Sequence, residues 1–192
     1  MTILPITLVG DPVLRTPAAP LSQAELADPD TQRLIDDLIE TKRAAGGAGL
    51  AANQVGDTRR IAVVEVEPDN PRYPYKPAFP LTVLVNPRIL GRGAEQIEIN
   101  EGCLSVPDLR GSVARSAEVE VEYEDREGAT RRQAVRGLTA GTFQHEIDHL
   151  DGVLFLDRVR DPRSLATWEM FDRYERRAFE EYARAVVERW GS

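Results

Sequence analysis

The stretch Leu138–Leu150, LTAGTFQHEIDHL, carries His145 and His149 one helical turn apart with Glu146 between them. Residues i and i+4 of a helix share a face, so both imidazoles can reach a single ion. Glu146, one position past the first histidine, can meet a water at that ion without becoming a ligand. These are the only 2 histidines in the chain. The segment therefore reads as a metal-binding helix.

Two histidines leave a hydrolytic site incomplete, because three protein ligands and one open position are usual. Downstream, Gly152 stands where one protease pattern has a glycine, but Phe155 occupies the place of its third ligand and cannot bind. Glu169 is a formal candidate for a ligand on a later helix. Upstream, Glu101-Gly102-Cys103-Leu104-Ser105 holds the only cysteine, after a strand-like run and a flexible glycine. Cys103 is the better candidate. A Cys/His2 set suits iron(II), zinc, nickel(II) or cobalt(II). With 1 cysteine the chain forms no internal disulfide, which fits a reducing compartment.

A third segment, Gly47-Ala48-Gly49-Leu50-Ala51-Ala52-Asn53-Gln54, contains Gly47, Gly49 and Ala52 in a G-x-G-x-x-A order. A dinucleotide site needs a strand before that pattern. Here a helix precedes it: Leu34, Ile35, Leu38 and Ile39 form an apolar face between about Asp30 and Ala45, closed by Gly46 and Gly47. The glycines then suit close backbone approach to a ligand. Gln54 supplies a neutral amide donor for an oxyanion.

Elsewhere the chain reads as short strands. Ile61–Val66 and Leu81–Val85 are β-branched or apolar, and Ile97 and Ile99 alternate with polar residues. Val113–Tyr123 reads as one strand, with Val119, Val121 and Tyr123 on one face and Glu118, Glu120, Glu122 and Glu124 on a solvated one. The turn Glu127-Gly128 leads to its hairpin partner, Arg131–Val135. Pro68, Pro71, Pro74, Pro77 and Pro80 recur every third position, which predicts a semi-rigid surface loop. Asp161-Pro162-Arg163-Ser164 is expected to open a long helix with Trp168, Phe171, Phe179, Tyr182, Val186 and Trp190 on one stripe. Short strands with two late helices, the second a long C-terminal one, give an α+β class.

The formal charge of −8 argues against a protein built to coat nucleic acid, so no DNA partner is expected. The first fourteen residues lack the basic start and unbroken apolar core of a secretory signal, and no run is long enough to span a membrane.

Taken together, GAGLAANQ, EGCLS and QHEIDHL resemble the three signature motifs of the peptide deformylases, in order and spacing, from about Gly10 to Arg158. Gly10–Arg15, GDPVLR, is similar to the family's start. The resemblance implies a fold of antiparallel sheets around a central metal-binding helix, and a cytoplasmic hydrolase that removes the formyl group from N-terminal formyl-methionine of nascent polypeptides. It implies that Cys103, His145 and His149 hold one divalent ion, iron(II) (Fe2+) in the cell with zinc (Zn2+) a common substitute. Glu146 would be the acid–base residue, and Gln54 with the backbone N–H of Leu104 the oxyanion hole. Gly49 and Gly102 would line the substrate groove.

Helical geometry and the neighbouring motifs suggest a methionine pocket made of Ala48, Ile99, Leu138, Gly141 and Thr142. Ala48, Gly141 and Thr142 are smaller than the family often has, which predicts a wider, less discriminating pocket. Asp148 and a Glu101–Arg115 pair are expected to support the ligands. The whole chain, 1–192, is read as one domain with 159–192 as a helical extension. Family tails can make transient contact with the ribosome, but Arg158–Ser192 holds 8 basic and 7 acidic residues and gives no electrostatic support for it. Two other readings compete: a zinc metalloprotease using His145, His149 and Glu169, and a non-catalytic protein with four protein ligands on its metal.

Overall fold

The computed structural model describes residues 2–68 and 70–192. Helices α1 (Gln23–Ala27) and α2 (Pro29–Ala44) come first, followed by strands β1 (Gly49–Ala51), β2 (Ile61–Val66), β3 (Phe79–Arg92), β4 (Gln96–Cys103), β5 (Val106–Ser116), β6 (Glu118–Glu124) and β7 (Thr130–Arg136). Helices α3 (Gly137–Leu150), α4 (Trp168–Tyr174) and α5 (Arg176–Trp190) complete the chain. The strands form an antiparallel five-stranded sheet, β1-β2-β3-β6-β7, and an antiparallel pair, β4-β5. The class expected from the sequence, antiparallel sheets around a central helix with a helix at the C-terminal end, is the class observed.

Helix α3 lies between the two sheets. One face, Ala140, Phe143, Ile147 and Leu150, packs on Ala62, Val64, Leu84, Val119, Val121 and Val135 of the large sheet. The opposite face, with the histidines, looks toward β4–β5. Gly137 opens the helix at φ +55°, where a Cβ would sit 1.7 Å from the Ser192 carbonyl oxygen. Leu138 N–H donates to that same oxygen at 3.0 Å, so the C-terminal segment satisfies an N–H that the helix cannot satisfy itself. Helix α2 starts on Asp28, whose carboxylate accepts from Asp30 N–H at 2.8 Å, and continues through Pro29. Its Leu34, Ile35, Leu38 and Ile39 bury against Leu50, Ile61, Val63, Val83 and Val85, at about 1.5–3 kcal/mol per fully buried side chain.

Three expectations are corrected. Val113–Tyr123 is not one strand. It breaks at Ala117, whose N–H and C=O bond to Glu95 and Gly137, and the chain passes there from the small sheet to the large one. The acidic face of β6 is only partly solvated: Arg132 and Arg88 of adjacent strands meet Glu122 and Arg136 meets Glu118, while Glu120 is exposed. Asp161–Ser164 does not open the long helix. Pro162–Ser164 is a single tight turn, Thr167 caps α4, and the helical path breaks again at Glu175 before α5. The break lets Phe171 and Phe179 meet with ring centroids 5.9 Å apart.

The proline-rich segment departs from a straight polyproline rod. Tyr73 N–H bonds to Asn70 C=O and Lys76 N–H to Tyr73 C=O, two successive turns that fold the loop back over the molecule. Among the described residues, no helix is long and apolar enough to cross a membrane.

Candidate active site and metal centre

Cys103 ends β4, while His145 and His149 stand one turn apart on α3. Their sulfur and ring nitrogens lie within 4.8 Å of one another, and among the described residues no other group of histidine, cysteine or acidic side chains converges in this way. Cys103 Sγ is 3.2 Å from His149 Nε2, which is 3.2 Å from His145 Nε2. Ligands at ~2.0–2.3 Å from a tetrahedral ion stand roughly 3.3–3.8 Å apart, so the trio is close to the spacing such an ion requires. The donor set, one thiolate and two imidazoles, suits a borderline divalent metal. Burial opposes ionisation of Cys103, but His149 and His145 outweigh it and drive the thiol well below its ordinary range, toward the form that binds metal.

A chain of buried charges holds the imidazoles in place. His145 Nδ1 is 2.8 Å from Glu101 Oε2, which leaves Nε2 for the metal. Arg115 donates to both Glu101 oxygens, at 2.7 and 3.0 Å, and to Asp148 at 2.5 Å. Arg158 closes the chain on Asp148 at 2.8 Å. Burial disfavours the Glu101 carboxylate, but Arg115 and His145 hold it well below the usual range. The expected Glu101–Arg115 pair is present, and Asp148 is joined to it through Arg115.

Glu146 is buried beside the trio, and its Oε2 has no hydrogen-bond partner among the described residues. Burial pushes its carboxyl above the ordinary range, which suits a group that accepts and returns a proton. Gly49 lies against it: a Cβ there would sit 2.4 Å from Glu146 Oε1. Gln54 is fixed by Ala51 N–H, which donates to its Oε1 at 2.9 Å. That leaves Nε2 facing Cys103 Sγ at 3.4 Å and Ser105 Oγ at 3.2 Å.

One cavity is lined by Ala48, Gly49, Gln54, Ile99, Gly102, Cys103, Leu104, Gly141, Thr142, His145 and Glu146. All were singled out from the sequence. Leu138 is not among them. Seven residues before His145, it sits about 10 Å down the helix axis, under Ala183 and Val186 of α5. Glu169 is exposed on α4 and faces Arg173 at 3.4 Å, far from any ligand role. No fourth protein ligand joins the trio among the described residues.

The same cavity has walls that sequence reasoning missed. Tyr73, Tyr75 and Lys76 come from the folded-back loop, and Asn100 from β4. The aromatic and basic residues between the prolines were the available signal. Ile99 Cδ1 fills the space beside Gly141, 2.2 Å from where a Cβ would be, and the Lys76 ammonium reaches Thr142.

The polypeptide deformylase family model matches residues 3–164. The chain is 46% identical over 169 residues to peptide deformylase 2 of Nostoc sp., covering 88% of this chain and 93% of that protein. The Met-Ala-Ser-bound class I type b peptide deformylase of Acinetobacter baumannii superposes with a TM-score of 0.79 at 40% identity, over 82% of this chain and 99% of that one. The actinonin-bound enzyme of Synechococcus elongatus does so with a TM-score of 0.74 at 32% identity, over 98% of this chain and 86% of that one. The motifs around the metal site, the fold that brings them together and these relatives agree, and the chain belongs to the polypeptide deformylase family.

Proposed function

We propose that this peptide deformylase hydrolyses the formyl group of N-terminal formyl-methionine on nascent polypeptides at the Cys103/His145/His149 site, releasing formate. The observation that carries the reading is the convergence of a Cys/His2 trio, an unpartnered buried carboxylate and a fixed amide donor in one cavity. A divalent ion held by the trio supplies Lewis acidity, making water easier to deprotonate and a carbonyl easier to attack. Glu146 takes a proton from the attacking water, whose oxygen bonds to the formyl carbon. Gln54 Nε2 and the Leu104 N–H stabilise the oxygen that gains charge, at about 3 kcal/mol per fixed donor. The C–N bond then breaks, Glu146 gives its proton to the leaving amine, and formate departs. Ala48, Ile99, Gly141 and Thr142 line the space for the methionine side chain, and Gly49 and Gly102 let the peptide backbone approach.

Iron(II) is the ion we infer for the cell, with zinc, nickel(II) and cobalt(II) fitting the same donors. Nascent substrates put the activity in the cytoplasm, beside the ribosome. The direct test is formate release from formyl-Met-Ala-Ser by protein purified without oxygen and loaded with each metal in turn. Cys103→Ala should abolish both metal binding and formate, while Glu169→Ala should leave both intact. No formate with any of the four metals would overturn the reading.

A further inference from the structure

The wall of the side-chain space carries a cation that a methionine thioether has no use for. Lys76 lines the cavity that contains Glu146 and Cys103. Its Nζ donates to Thr142 Oγ1 at 2.8 Å, and the Thr142 hydroxyl hydrogen is committed to Leu138 C=O at 3.3 Å. An ammonium has three donors, so two remain. Among the described residues no other acceptor takes them, and no carboxylate comes within ion-pair distance of Lys76. The ring of Tyr73 lies 5.0 Å from Nζ and fixes its position from another side. Burial pulls the ammonium down to about 8, against the pull of Glu101, so the cation persists at neutral pH.

A thioether sulfur is a weak acceptor, and packing it against an ammonium strips water from N–H groups without replacing those hydrogen bonds. Oxidation converts that sulfur to a sulfoxide, whose oxygen is a strong acceptor on a side chain of nearly the same length. We infer that Lys76 makes methionine sulfoxide an accepted first residue, so that the enzyme also deformylates oxidised N-formyl-methionine. The reaction is unchanged: water adds to the formyl carbon, the C–N bond breaks, and the sulfoxide leaves intact on the peptide. The inference rests on the proposed use of Gly141 and Thr142 as the side-chain wall.

The test compares kcat/KM for formyl-Met-Ala-Ser and for both sulfoxide epimers of the same peptide, in wild type, Lys76→Leu and Lys76→Arg. The sulfoxide-to-methionine ratio should be within about tenfold of unity in wild type and should fall by about tenfold or more in Lys76→Leu. Lys76→Arg, which keeps the cation, should retain it. Calorimetric binding of Met-Ala-Ser and its sulfoxide should follow the same ratio without chemistry. An unchanged ratio in Lys76→Leu overturns the inference, as does an equal loss on both substrates, which would put Lys76 on the shared peptide backbone. Formate from formyl-methionine but none from either sulfoxide also overturns it. Absence of formate from every substrate instead strikes the deformylase reading, and the tripeptide binding ratios then decide the role of Lys76.

Discussion

Replacing Gly49 by alanine should remove activity while leaving the fold and the metal in place. The added Cβ would lie 2.4 Å from Glu146 Oε1 and 2.6 Å from its Cδ and Cγ, where ordinary contact begins at 3.4 Å. Gly49 is paired with Val64 in the sheet, so its backbone has little room to retreat. Glu146 must give way by about 1 Å. Its Oε2 makes no hydrogen bond among the described residues, so turning the side chain breaks no bond there and costs about 0.5–1.5 kcal/mol. A catalytic group displaced by ~1 Å, however, loses on the order of a hundredfold in rate. The expected outcome is kcat/KM down about a hundredfold on formyl-Met-Ala-Ser, with a near-normal melting temperature and unchanged metal content. Gly91→Ala is the control, because a Cβ there meets nothing within 4 Å. Activity within threefold of wild type would refute the reasoning. So would loss of activity together with loss of metal, since the clash would then have reached the histidines.

Gln54→Leu keeps the shape of the side chain but removes the fixed donor, and kcat should fall about 10²–10³-fold with metal retained. Arg115→Met leaves Glu101 and Asp148 without the cation they share. Metal affinity, followed by chelator competition, should drop about 10–100-fold, and urea unfolding should give a loss of about 3–5 kcal/mol. Glu65 predicts a pH effect far from the site. The Arg43 guanidinium, helped by Lys42 and against the penalty of burial, lowers its carboxyl to about 2. A folded-state pKa below the unfolded value contributes stability that is complete above the ordinary value of about 4.5 and fades as pH falls toward 2. Wild type should therefore lose about 3 kcal/mol more than Glu65→Gln between those limits in urea titrations.

What could be read from the sequence was local. The QHEIDHL helix, the α2 face and the β6–β7 hairpin follow from periodicities of 3.6 and 2 and from a glycine turn, and each formed where expected. The candidate ligand trio was legible because chemistry limits which side chains can bind a metal, and only one cysteine and two histidines were present. The break at Ala117 was hidden because the apolar alternation of β5 continues into β6 while the chain changes sheets, and only bonds to Glu95 and Gly137 reveal it. Leu138 shares the helical face of His145 but not its depth, and a wheel of residues records angle without height. Lys76 escaped because prolines at every third position suggested a rod, whereas the backbone bonds of Asn70 and Tyr73 make turns.

The buried charges explain why a site made from distant segments keeps its register. Glu101 belongs to the small sheet and Asp148 to α3, and Arg115 bonds to both while Glu101 also bonds to His145. Such a cluster adds little net stability, because desolvating each charge offsets most of the attraction regained on pairing. What it supplies is directional. A slip of α3 by one residue would turn Asp148 about 100° away from Arg115 and take His145 off Glu101, while Arg115 and Glu101 stayed paired with each other on the small sheet. An apolar contact of the same area would tolerate that slip, since dispersion has no preferred direction. The helix is thus free to owe its stability to Phe143, Ile147 and Leu150 on the other face, while the ionic face fixes where His145 and His149 point.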